Sequence, residues 1–282
     1  MEKKELARYL ELCKELRLKI VDVMTWSGGA HVGGSLSIVE LLVMLYFKYL
    51  NVNPKRPKWD DRDRFILSKG HAAAGYIPAL AMKGYFPEEE LKSFNHFKSP
   101  FAMHPDCNKV IGCDASAGSL GHGLPMALGL GLGARYLKKG FKTVCLLGDG
   151  ECCEGSVWEA AMAISNFKLT NVIPIVDRNH FMIDGNTEDE MALEPFADKW
   201  KAFGFDVLQI NGNNIEEVDD ALSKAWRMTV PTMIIADTVK GKGVDFMEGN
   251  VKWHYASADS ALAEKSKESI LKEYEEASRC LQ

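Results

Sequence analysis

From residue 143 onward the chain alternates two kinds of segment with little between them. Apolar runs of strand length, "TVCLLGD", "NVIPIVDRN", "FDVLQIN" and "PTMIIADTV", are separated by the helical patterns "SVWEAAMAISNFKL", "EPFADKWKAFG" and "NIEEVDDALSKAWR". Short continuous apolar runs fit strands buried on both faces. Strands joined through helices run parallel, because a helical crossover brings the chain back to the same end of the sheet. The order therefore predicts a doubly wound α/β fold, a mostly parallel sheet with helices on both faces.

The first half of the chain is less regular. Leu6, Leu10, Cys13 and Leu16 repeat at helical spacing, so the N-terminus reads as an amphipathic helix rather than a secretory leader. A glycine-rich loop, "WSGGAHVGGSLS", precedes an apolar helix from about Ile38 to Tyr49. "FILSKGHAAAGYIPALAMKGYF" reads as a short strand, a Gly-His turn and a helix ending near Gly84. Residues 86–116 are irregular, a length found mostly in functional or mobile loops. "ASAGSLGHGLPMALGLGLGARYLKKG" turns on glycine and continues as a helix whose Ala127, Gly131 and Ala134 permit close packing. Residues 1–256 are expected to form one domain, followed by a charged helical tail over 257–282.

Charge and composition narrow the function. A net charge of -5 without a basic stripe excludes a nucleic-acid backbone as partner. The longest apolar run, within "SIVELLVMLYFKYL", is far short of the ~20 residues that span a bilayer, so no membrane role is expected. Seven cysteines without a C-x-x-C pair fit a reduced, cytoplasmic setting, and Cys152 and Cys153 read as incidental.

The chemistry centres on "LLGDGECCEG". Asp149 closes a strand between Gly148 and Gly150, at the carboxyl end of a parallel sheet, where ligands bind. Asn179 closes the next strand, thirty residues on, and a right-handed crossover sets the two ends side by side. Two side-chain oxygens without thiols suit a hard cation such as Mg²⁺, which keeps phosphate or water oxygens among its six ligands. Gly150 could offer its N–H to an anion. Asp-Gly and a terminal Asn are also ordinary turn chemistry, so the spacing leaves both readings open.

"GDGECCEGSVWEAAMAISNFKLTNVIPIVDRN" resembles the thiamine diphosphate motif of the transketolase family, and "AHVGGSLS", "LSKGHAAAGY", "MHPD", "GSLGHGLPMALG", "IDGNTED" and "KGKGVDFMEGNVKWH" are similar to further transketolase motifs in the same order. The resemblance implies a thiamine diphosphate-binding fold. It makes Asp149, Asn179 and the Phe181 carbonyl ligands of Mg²⁺ or another divalent cation, and places Gly150 and Glu151 at the diphosphate. Ile183 would pack on the cofactor rings, with Gly118 and Leu120 lining the pocket. His31 and His104 would bind substrate hydroxyls and move protons, a task imidazole suits near neutral pH. His71 and His254 would bridge towards the cofactor, while Glu154 and Glu159 would join a proton relay across a subunit contact. His122 departs from the family's usual glutamine, and "WHYASAD" from its usual continuation.

Full transketolases carry further domains, the first of which supplies the glutamate that activates the cofactor. The resemblance therefore implies the N-terminal subunit of a split transketolase, working with a C-terminal subunit in an α2β2 assembly on sugars or sugar phosphates. Its activity would be two-carbon ketol transfer. Rival readings are the equivalent subunit of a 2-oxo acid dehydrogenase or deoxyxylulose-phosphate synthase, or a non-catalytic thiamine diphosphate-binding protein.

Overall fold

The computed structural model describes residues 1–281 and contains a sheet of five strands in the order β1-β2-β3-β5-β4, every neighbouring pair parallel. The strands are β1 (Arg64–Leu67), β2 (Thr143–Gly148), β3 (Val172–Arg178), β4 (Asp206–Asn211) and β5 (Thr232–Asp237). Val144, Leu146, Ile173, Ile175, Ile234 and Ala236 feed a core on one face of the sheet. Their neighbours Cys145, Leu147, Val172, Val176, Met233 and Ile235 feed a second core on the other. With both faces dry, the period of two leaves no polar alternation, which explains the continuous apolar runs. Only β4, at the edge, alternates between exposed and part-buried residues. Truncating a central position such as Leu146 to Ala is expected to cost about 2–5 kcal/mol.

The helices are α1 (Lys3–Trp26), α2 (Val32–Leu36), α3 (Val39–Met44), α4 (Ala73–Lys83), α5 (Gly123–Tyr136), α6 (Gly155–Asn166), α7 (Thr187–Glu190), α8 (Phe196–Ala202), α9 (Ile215–Arg227) and α10 (Ser260–Leu281). Residues of α1, α3, α4, α9 and α10 share the first core, and residues of α5, α6 and α8 share the second. On α1, Cys13 and Leu16 are fully buried while Leu6 and Leu10 pack at its margin. Asn214 caps α9, its side chain accepting from the Glu216 and Glu217 N–H groups, which satisfies two donors that the first turn leaves free. Gly131 lets α5 lie directly on β3, since a Cβ there would sit 2.3 Å from Val172.

Two segments differ from expectation. The glycine-rich loop after α1 contains the short helix α2, all five of its residues buried, so tertiary packing overrides the weak helix propensity of its glycines. The apolar helix ends at Met44 and continues in wider turns over Leu45–Tyr49, where the Leu50 N–H donates to the Leu45 carbonyl at 2.8 Å. The helix before Gly84 ends as expected, with Gly84 left-handed at φ 93°. Residues 86–116 hold only a 3₁₀ turn at Glu88–Ser93, and the Phe86 and Phe101 rings, 4.7 Å apart, hold the stretch to the core.

The C-terminal segment forms α10, which lies along α1 with Ala263, Ile270 and Tyr274 buried. Arg17 of α1 ties it in place, donating to the Tyr274 hydroxyl at 2.5 Å and pairing with Glu40 at 2.8 Å. Among the described residues no helix is long and apolar enough to cross a membrane.

Candidate active site

β2 and β3 pair with Gly148 opposite Asp177, so Asp149 and Asn179, the residues that follow the two strands, emerge together at the carboxyl edge. Both line one cleft of about 380 Å³. Its walls also include His31, His71, His104 and His254, together with Gly118, Leu120, Gly150, Glu151, Phe181 and Ile183. Residues singled out from widely separated stretches of sequence thus meet in one cavity. Glu154 and Glu159 do not line it; both are exposed at and on α6. A larger groove of about 660 Å³ runs between α1 and α10 and contains none of these residues.

Asp149 is 1% exposed. One carboxylate oxygen accepts the Gly150 N–H at 2.8 Å; the other accepts the His180 N–H at 2.6 Å and the Arg178 guanidinium at 3.2 Å. Burial and the neighbouring Asp177 charge push its pKa up, a penalty that a cation in the cleft would reverse. His180 adopts a left-handed backbone, φ 68°, while its ring bonds Asp237 at 2.7 Å. Asn179 donates its amide to Asp177 at 2.8 Å, and its oxygen accepts the Phe181 N–H at 3.1 Å. Gly150 is held against Met182, where a Cβ would lie 2.9 Å from the side chain. Glu151 lines the cleft, but its carboxylate is engaged by the Ser68 hydroxyl and by the Gly121 and Gly148 N–H groups at 2.8 and 3.0 Å.

The donor set fits a hard cation that brings its own oxygens. Among the described residues no three His, Cys, Asp or Glu side chains gather into a metal cage. One carboxylate, one amide oxygen and a main-chain carbonyl would leave half of an octahedral shell for phosphate or water. Two lysines not singled out from the sequence supply matching positive charge. Lys69, 1% exposed, pairs with Asp177, and Lys240, 2% exposed, donates to the Met182 carbonyl at 3.1 Å and to His254 Nδ1 at 3.0 Å. Burial and Lys69 pull the Lys240 pKa down to about 8.

The four histidines form a cluster around His31. Its ring centroid lies 5.3 Å from that of His71, 5.4 Å from His254 and 6.0 Å from His104. Burial lowers all four pKa values, with nearby positive charge adding to the effect at three. His31 falls to about 4, with His104 and Lys240 contributing after burial. His71 falls to about 2 through burial and Lys69, and His254 to about 3 through burial and Lys240. His104 is lowered by burial alone. The cluster is neutral at physiological pH and can accept protons. Lys240 donates to Nδ1 of His254, which places that ring's proton on Nε2. Nδ1 of His31 is buried without a partner.

Comparison with known proteins agrees with this geometry. The family described as "Transketolase, thiamine diphosphate binding domain" matches residues 10–274. One of the two subunits named for the apulose-4-phosphate transketolase of Phocaeicola vulgatus is 41% identical over 87% of this chain and 88% of its own length. A 6-deoxy-6-sulfo-D-fructose transketolase subunit of Clostridium sp. is 42% identical over 80% of this chain and 83% of its own. The crystal structure of Campylobacter jejuni transketolase superimposes with a TM-score of 0.86 at 31% identity, covering 96% of this chain but 43% of that longer one. With the sheet order, the cleft and these matches together, the chain belongs to the transketolase family, as its thiamine diphosphate-binding portion.

Proposed function

We propose that this chain is the diphosphate-binding subunit of a two-chain transketolase that transfers a two-carbon ketol unit from a ketose to an aldose. The observation that carries the reading is the convergence of Asp149, Asn179 and four neutral histidines on one cleft at the strand ends. Asp149, Asn179 and the Phe181 carbonyl would hold Mg²⁺, and the Gly150 N–H with Lys69 and Lys240 would meet the diphosphate. Ile183, 66% exposed and lining the cleft, offers an apolar surface for the cofactor rings. Bound thiamine diphosphate supplies the nucleophilic carbon and the electron sink for carbon–carbon cleavage. His31 and His104 bind the sugar hydroxyls, and a neutral imidazole takes the donor's hydroxyl proton as cleavage occurs and returns it to the acceptor aldehyde.

Two relatives named for a phosphorylated and a sulfonated sugar share 41% and 42% identity with this chain. Resemblance at this level is the same for either anionic end, which supports assigning that choice to the partner chain. The partner is a C-terminal transketolase subunit carrying the activating glutamate, in an α2β2 assembly, and the setting is cytoplasmic. Co-expression with the partner and assay of a ketose panel with thiamine diphosphate and Mg²⁺ tests the reading. Ketol transfer without pyruvate consumption, and none by the purified chain alone, is the expected result. Pyruvate decarboxylation, or full activity without a partner, would overturn it.

A further inference from the structure

Asp177 is a carboxylate on the strand-end side that the proposed chemistry leaves without a task. It is fully buried and surrounded by donors only: the Ser37 hydroxyl at 2.8 Å, the Lys69 ammonium, the Asn179 amide at 2.8 Å and the Thr238 hydroxyl. These donors come from the α2–α3 junction, the β1 end, the β3 end and the β5 end. An ionised carboxylate can only accept, so Asn179 must present its nitrogen to Asp177. Its oxygen is thereby the atom left for the cleft. An amide at 177 would bring two donors into a shell already filled with donors, and would let Asn179 turn either way.

We propose that Asp177 is a positioning residue that selects the oxygen of Asn179 for the cation. The inference rests on the reading of the cleft as a cation–diphosphate site. Outer-shell partners of metal ligands act in this way by fixing ligand orientation, and their loss weakens metal affinity roughly 10- to 100-fold.

The test is calorimetric titration of Mg²⁺ into the full chain with saturating thiamine diphosphate, comparing wild type with D149A, D177N, N179D and the swap D177N/N179D. D177N is expected to weaken Mg²⁺ binding by roughly 10- to 100-fold. N179D sets two carboxylates against each other and is expected to weaken it as well. The swap restores the pair with its polarity reversed, the amide at position 177 now donating to the carboxylate at position 179, and leaves a carboxylate oxygen for the cation. It is therefore expected to bind more tightly than either single variant, a recovery that a scaffold role through Ser37, Lys69 and Thr238 does not produce.

D177N indistinguishable from wild type overturns the proposal while leaving the site reading in place. A swap no tighter than N179D does the same, and holds even where D177N does not fold. Failure of wild type to show Mg²⁺-dependent binding, or survival of that binding in D149A, overturns the site reading and the proposal with it.

Discussion

On the strand-end side of the cleft, charged groups satisfy one another. Lys69 pairs with Asp177 and Arg178 with Asp149, each of the four at most 2% exposed. On the histidine side the rings touch mainly each other, His31 Nδ1 has no partner, and burial rather than pairing sets the pKa values. Paired buried charges fix geometry but resist change, because removing one leaves the other stranded. Unpaired imidazoles keep hydrogen-bonding capacity for a substrate. The contrast assigns anchoring to one side and proton transfer to the other, and it can be broken experimentally.

The largest effect is expected from D149A. It removes the proposed cation's carboxylate and leaves Arg178 with only Glu188 at 2.8 Å and Glu194 at 3.2 Å, both on the exposed side of the guanidinium. Mg²⁺-dependent cofactor binding should be lost, and urea unfolding of the apo chain should show a loss of about 3 kcal/mol, the lower end for breaking a buried pair. Wild-type stability in D149A would show that the strand-end side is not interlocked.

The next effect separates the two sides. H31N removes a proposed proton-transfer and hydroxyl-binding group, so with the partner present kcat should fall about 100-fold, the lower range for general acid–base catalysis. Stability should move by less than about 1 kcal/mol, since His31 Nδ1 makes no hydrogen bond to lose. A large loss of stability with kcat intact would give His31 a structural role and reverse the contrast.

The two sides were not equally legible in the sequence. The strands after residue 143, the meeting of Asp149 with Asn179 and the gathering of four histidines follow from apolar runs, parallel connection and motif order. Lys69, Asp177, Arg178 and Lys240 did not announce themselves, because a single charge near a strand end is usually solvated, and these are buried only through partners from distant segments. A signal existed for Lys69: it follows Phe65-Ile66-Leu67 by two residues, too close to a dry strand to reach water easily. α2 was hidden for a related reason, its helix being set by the surfaces above Gly33 and Gly34 rather than by its own residues.

The smallest expected effect, a dependence of apo-chain stability on pH, probes the histidine side without any ligand. His71 stays neutral in the fold down to about pH 2, whereas an unfolded histidine takes up its proton near about pH 6.5. Above pH 6.5 neither state is protonated and His71 contributes no slope. Below it the unfolded chain binds a proton that the folded chain refuses, so stability falls as pH falls, by up to about 1.4 kcal/mol per pH unit. His31 and His254 act in the same sense towards about pH 4 and about pH 3, with less weight because they are more open to solvent. Asp149 and Glu151, whose pKa values burial raises, act oppositely at lower pH by taking up protons in the fold. The histidine share is therefore read as the difference between wild type and H71N in urea midpoints from about pH 6.5 to about pH 5, a window that opens at the unfolded histidine pKa. H71N should show the shallower loss. Equal slopes would mean that His71 is hydrated and protonates normally, and that the dryness ascribed to the histidine side does not exist.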